Sequence, residues 1–240
     1  MSRNGSDQRP FSFRQFTLNH HESTMKVGMD AIILGIWTRV SKHANVLDIG
    51  TGSGIIALLL ATRGAKSIVA IDIDKPSVEE SNQNFANSTW ASQMNAQNKS
   101  LQEFVLSAQN KYDLIISNPP FFLDGVLSAS ERQNYARHAK ALTYRDLVEG
   151  VSKLLSEKGI FSVVLPYKTA QDFITIANEY KLYLNRKMII FPRRGMTPNR
   201  INMEFSWIVY DNPLLEMLSI REENSEFSNE YLQLTNEYYL

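Results

Sequence analysis

The chain has 240 residues, 43% of them hydrophobic, with 25 basic and 25 acidic side chains and no cysteine. That length buries a full core in one domain. The balanced charge argues against strong nonspecific binding of nucleic acid, and the missing thiols exclude disulfides and thiolate-built zinc sites. No stretch has the apolar run of a signal peptide or a bilayer span, so a soluble, cytoplasmic protein is expected. The charge is uneven along the chain: from Asn212 to Leu240 six glutamates stand against Arg221, a balance of −5 that leaves +5 on residues 1–211.

After an N-terminal segment with Phe11, Phe13 and Phe16, residues 30–40 read as a helix whose apolar face carries Ile32, Ile33, Ile36 and Trp37. Residues 46–49 and 68–71 are short apolar strands flanking a buried helix over 55–62. Asp74 is placed to cap a further helix, with Pro76 in its first turn and Val78 and Phe85 on its inward side. Residues 86–102 are crowded with Asn, Ser and Gln, and a third strand is placed near 94–97. Strands follow at 112–117, 160–165, 187–191 and 201–210, with helices near 143–155 and 170–180. The connection over 193–200 is too short for a crossover helix, so the last two strands should be antiparallel. The pattern predicts an α/β fold: a mostly parallel, Rossmann-like sheet with helices on both faces. The domain reading is a single domain with an N-terminal segment (1–44), a core (45–211) and an acidic tail (212–240).

Two stretches carry chemistry. The strand at 46–49 runs into Gly50-Thr51-Gly52-Ser53-Gly54, a turn that brings backbone N–H groups close to a ligand. Ile55 falls where a dinucleotide fingerprint has its third glycine, and Asp48, two residues before Gly50, would be unwelcome beside a pyrophosphate but can accept from an ammonium group. This favours S-adenosylmethionine over NAD. Asp72, 22 residues past Gly50, suits ribose hydroxyls, while Asp74 is read as the helix cap.

The second stretch is Asn118-Pro119-Pro120-Phe121, after the strand at 112–117. It offers an amide oxygen and a backbone carbonyl to a flat amino group, a turn stiffened by two prolines, and an aromatic ring for stacking, with Phe122 lining the pocket or the core. Together the two stretches predict methyl transfer to a planar nitrogen.

These residues resemble class I S-adenosylmethionine-dependent methyltransferases of the N6-adenine and glutamine-N5 group. Phe11-Ser12-Phe13-Arg14-Gln15-Phe16, Met25-Lys26-Val27-Gly28-Met29-Asp30 and Leu34-Gly35-Ile36-Trp37 are similar to the opening of the bacterial tRNA1(Val) (adenine(37)-N6)-methyltransferase family, and the resemblance runs to about Trp207. It implies a seven-stranded sheet and, as substrate, the adenosine just 3′ of the anticodon of a valine tRNA. It also implies that Lys26, Gly28 and Asp30 close over the cofactor, that Gly50, Gly52 and Asp72 hold it, and that Asn118 to Phe121 hold the adenine. Ser100 aligns where family members often show an aspartate that meets the cofactor's adenine.

For the RNA, Arg193, Arg194 and Arg200 flank Gly195 and Pro198 and could meet phosphates, solvated loop arginines being the alternative; Arg3, Arg9 and Arg14 could add to that surface. No metal is assigned, because His20 and His21 have no further ligands at metal-binding spacing. Three other functions fit parts of the pattern. Glutamine-N5 methylation of a protein uses the same acceptors, but such enzymes usually carry a separate N-terminal helical domain, and only about thirty residues precede the first helix here. A non-catalytic S-adenosylmethionine- or RNA-binding module would not need an intact Asn-Pro-Pro-Phe. DNA adenine methylation would call for an appended recognition domain.

Overall fold

The computed structural model describes residues 10–23, 27–120 and 142–239. A small hairpin, β1 (Phe11–Ser12) and β2 (Thr17–Leu18), leads to α1 (Met29–Trp37) and then into an alternation of strands and helices. The first half runs β3 (Asn45–Ile49), α2 (Ile55–Ala61), β4 (Ser67–Asp72), α3 (Lys75–Ala86), β5 (Met94–Asn98), α4 (Leu101–Ser107) and β6 (Tyr112–Ser117). The second half runs α5 (Tyr144–Leu154), β7 (Leu155–Pro166), α6 (Ala170–Glu179), β8 (Tyr183–Phe191), β9 (Arg200–Ser206), β10 (Leu214–Ser219) and α7 (Asn229–Thr235). Among the described residues no helix is long and apolar enough to cross a membrane.

The main sheet has the order β5-β4-β3-β6-β7-β9-β8-β10. Only β9 is antiparallel to its neighbours, because the short link from β8 turns the chain straight back. The central strands are apolar on both sides: Val46, Leu114 and Ile116 face one core, Leu47, Ile49 and Ile115 the other. The first core is closed by α1, α2, Phe85 of α3 and Tyr231 of α7, the second by α4, α5 and α6. The order reverses at β3, so β3 and β6 diverge toward opposite halves of the sheet, and their carboxyl ends open a crevice.

Three expectations need correction. The sheet has eight strands in place of seven. Residues 212–240 are not a tail: β10 joins β8 in parallel, and Leu218, Ile220 and Tyr231 are buried. The segment is hard to read because its glutamates make it look like an acidic run, while on β10 only Leu218 is buried and Leu214, Leu215 and Met217 are exposed. α4 was missed inside the polar stretch; only Leu101 and Phe104 are buried on it, and a capping box at Ser100 and Glu103 starts it. Smaller shifts are that β8 begins at Tyr183 and β9 ends at Ser206, after which Trp207 donates from Nε1 to the Ser156 carbonyl at 2.8 Å.

Candidate active site

The glycine turn is held at its base by the next strand: the Gly50 and Thr51 N–H groups both donate to the Ile71 carbonyl, at 2.9 and 3.1 Å. Gly50, Gly52 and Gly54 all have positive φ (74°, 56° and 84°), which side chains rarely adopt. Their roles differ. A Cβ on Gly50 or Gly52 would meet nothing within 4 Å, so these two border open space, whereas one on Gly54 would lie 2.5 Å from the Phe85 ring. Gly54 therefore lets α2 start hard against α3, and the other two leave room for a ligand.

Two carboxylates stand at this turn. Asp72, at the end of β4, accepts from Gly52 N–H on one oxygen and from Asp74 N–H on the other, both at 2.9 Å. Burial pushes its pKa up, and those backbone donors pull the other way. Each oxygen keeps a lone pair beyond these bonds. Asp74 caps α3, accepting from Ser77 N–H at 3.0 Å. Asp48 is fully buried; one oxygen accepts from the Thr51 hydroxyl at 2.7 Å, and the other, Oδ1, makes no hydrogen bond of normal geometry among the described residues, the Ala57 N–H at the start of α2 being the nearest backbone influence on the carboxylate. Burial raises its pKa to about 7, with the Thr51 bond opposing and Asp72 adding to the rise.

The acceptor side lies one strand over. The Ser117 hydroxyl donates to the Ile49 carbonyl at 2.9 Å, binding the end of β6 to the end of β3, and so fixing Asn118 next to Gly50. Asn118 Oδ1 is buried with no hydrogen-bond partner among the described residues, Pro119 is buried and Pro120 exposed. A buried amide oxygen left unpaired costs about 1–3 kcal/mol, a cost that an arriving N–H donor removes. Phe121 and Phe122, and Lys26 on the cofactor side, lie outside the described residues.

Several candidate residues have other occupations. Gly28 is the extended N-cap residue of α1, and two residues on, Asp30 Oδ2 accepts from Arg200 Nε at 2.7 Å. Arg200 thus stands at the first position of β9 as the partner of Asp30 and ties α1 to the sheet. Arg194 is bound by Glu222 and Glu230, both at 2.7 Å, so its charge is paired with carboxylates in this structure. Of the three arginines, Arg193 alone is exposed with no ion pair among the described residues. Ser100 caps α4: its hydroxyl accepts from Glu103 N–H at 3.2 Å and donates to Glu103 Oε2 at 2.7 Å.

The sequence reading missed the clamp on the N-terminal segment. Glu80 of α3 accepts from the N–H groups of His21, Glu22 and Ser23, at 2.6 to 3.0 Å. Burial pushes the Glu80 pKa up, but those donors prevail and leave it below the usual carboxylate range. Asn84 reaches from the same helix to the Asn19 and Ser53 carbonyls, both at 2.8 Å, linking the segment to the glycine turn. Nothing in the pattern of α3 marks Glu80, whose partners are backbone groups about sixty residues away.

A parallel sheet with this order, a glycine turn after its first central strand, an acid ending the next and an Asn-Pro-Pro turn across the switch point define a Rossmann-like class I methyltransferase. Solved structures share the fold. A predicted O-methyltransferase from Agrobacterium tumefaciens superposes with a TM-score of 0.66, at 16% identity, over 87% of this chain and 96% of that one. A ribosomal protein L11 methylase from Lactobacillus delbrueckii subsp. bulgaricus gives 0.52, at 24% identity, over 74% and 76%. The family profile described as Ribosomal protein L11 methyltransferase (PrmA) matches residues 20–121.

Full-length relatives are more specific. The tRNA1(Val) (adenine(37)-N6)-methyltransferase of Bacteroides fragilis is 38% identical over 96% of this chain and 97% of its own, and that of Pasteurella multocida 35% identical over 97% and 98%. The chain belongs to the tRNA1(Val) (adenine(37)-N6)-methyltransferase family.

Proposed function

We propose that the protein transfers a methyl group from S-adenosylmethionine to the N6 amine of adenosine 37 in a valine tRNA. The observation that carries this reading is the buried, unpartnered Asn118 Oδ1 at the end of β6, bound by Ser117 to the strand that feeds the glycine turn. Gly50 and Gly52 leave space for the cofactor, Asp48 Oδ1 receives its ammonium group, and Asp72 receives its ribose hydroxyls. The cofactor supplies an electrophilic methyl on a positively charged sulfur.

An exocyclic amine shares its lone pair with the ring and attacks poorly until the nitrogen becomes tetrahedral. Asn118 Oδ1 and the Pro119 carbonyl accept its two hydrogens and stabilise the positive charge that develops there. The two prolines hold these acceptors in place, so little reorganisation is needed at the moment of transfer. Once the nitrogen is positive its extra proton leaves readily, and no general base is required beforehand. The anticodon loop is single-stranded, so splaying the target base into the crevice costs at most a few kcal/mol.

The test is incubation with labelled S-adenosylmethionine and either unmodified tRNA or methyl-deficient protein extract, followed by digestion and mass spectrometry. N6-methyladenosine next to the anticodon of one valine tRNA supports the reading. Methylglutamine would move the protein to the protein-modifying branch, which the same pair of acceptors also suits.

A further inference from the structure

We infer that Tyr167 and Lys168, on the turn that follows β7, hold a nucleotide adjoining the target base, Tyr167 by stacking and Lys168 by its charge. The inference rests on the RNA-methylating reading above. β7 lies beside β6 and outruns it: the last paired residues are Ser117 and Val163, and β7 continues to Pro166. The 3-10 turn Tyr167–Thr169 therefore stands beside the Asn-Pro-Pro turn, on the flank away from the glycine turn. A nucleotide next to an adenine held at Asn118 lies toward this turn, which stands at the same end of the sheet one strand away.

The turn is fixed while its side chains are not covered. Tyr167 N–H donates to the Asn199 carbonyl at 3.1 Å, and the Thr169 hydroxyl donates back to the Pro166 carbonyl at 3.0 Å. Yet Tyr167 is 38% exposed, and Lys168 is exposed. An exposed ring on a rigid backbone is the form that single-stranded RNA recognition uses for base stacking.

Apart from Arg193, which is exposed and has no ion pair among the described residues, the competing groups are already engaged or distant. Phe227 stacks on Tyr231 at 4.9 Å, with the Arg221 guanidinium 4.3 Å from its ring. Tyr210 follows β9, and because β9 is antiparallel it falls at the opposite end of the sheet. Arg194 and Arg200 are held by carboxylates, whereas Lys168 has no ion pair among the described residues.

The test uses the full chain and a valine anticodon stem-loop with 2-aminopurine placed in turn on the 5′ and the 3′ side of the target adenosine. The wild-type protein is expected to quench one of the two probes. Tyr167→Ala should lose that quenching and raise the KM for tRNA about tenfold, with kcat at saturating tRNA and affinity for S-adenosylmethionine little changed, and Tyr167→Phe should restore both readouts. Lys168→Ala should lower the slope of log affinity against log salt by about 0.7. Neither probe quenched by the wild type, or an unaltered KM in Tyr167→Ala, would overturn the assignment. So would a joint fall in cofactor affinity and thermal midpoint in Tyr167→Ala, which marks a packing role. A wild-type protein that methylates no tRNA would remove the functional reading and this inference with it; methylation of tRNA unaffected by Tyr167→Ala would remove the inference alone.

Discussion

Two buried oxygens without hydrogen-bond partners among the described residues, Asp48 Oδ1 and Asn118 Oδ1, stand near the carboxyl ends of adjacent strands. Removing the second is expected to reduce kcat by about 10²–10³-fold, the usual effect of losing one preorganised group aimed at developing charge. Asn118→Ala should leave the dissociation constant for S-adenosylmethionine nearly unchanged, since the glycine turn is untouched; single-turnover kinetics and calorimetry separate the two effects. Asp48 gives a pH dependence. Its pKa in the folded protein is raised to about 7, so its contribution to stability is present below the ordinary carboxylate pKa and is lost as pH rises through 7. Cofactor binding has the opposite sign, because an ammonium favours the ionised form. Affinity for S-adenosylmethionine should therefore rise between about pH 6 and 7.5 with proton release on binding, and Asp48→Asn should bind more weakly with a flat profile. Titration in buffers of different ionisation enthalpy measures the released proton directly. A wild-type affinity that does not change over that range would count against the role given to Asp48.

At the scale of elements, α4 gives one residue a structural task that the sequence reading did not assign. Ser100 aligns with a position expected to meet the cofactor, and the structure gives its hydroxyl to a capping box. Ser100→Ala is expected to lower stability by about 1 kcal/mol in denaturant unfolding, with little change in cofactor affinity. A cofactor affinity that falls while stability holds would return Ser100 to the site. Strands β3, β4 and β6 were legible because they are apolar, short and bounded by Gly, Asp or Asn. α4 was not, since two buried residues in seven leave too thin a stripe for periodicity to register. β10 was hidden for a similar reason: Leu218 alone is buried, and Glu216 in the strand reads as part of an acidic run.

For the whole molecule, the segment after Asn212 closes the structure. Glu216 binds Arg186, which also reaches Glu204 of β9 at 3.5 Å and lies 4.1 Å from the Trp37 ring of α1. Phe13 forms a bridge with Tyr239, so the N-terminal hairpin meets the segment after α7. A chain ending at residue 211 would leave Arg186 without Glu216 and would uncover the surface on which Leu218, Ile220 and Tyr231 pack. At about 1.5–3 kcal/mol per large apolar side chain, the loss is comparable with the whole stability of a domain. The shortened protein is expected to be insoluble or to melt far below the full chain, by circular dichroism; a wild-type midpoint would show that the segment is dispensable to the fold. What the sequence by itself determined were features whose cause is local: a glycine turn needing positive φ, an acid at a fixed distance, an amide before two prolines, and the strand–helix alternation. Tertiary structure alone decided which charges are free to meet a ligand. Asp30 and Arg200 are 170 residues apart in the chain, and Arg194 meets Glu222 and Glu230 only because β10 and α7 fold back beside β8. Pairing of that kind depends on where the strands lie in the sheet, which no local pattern of residues records.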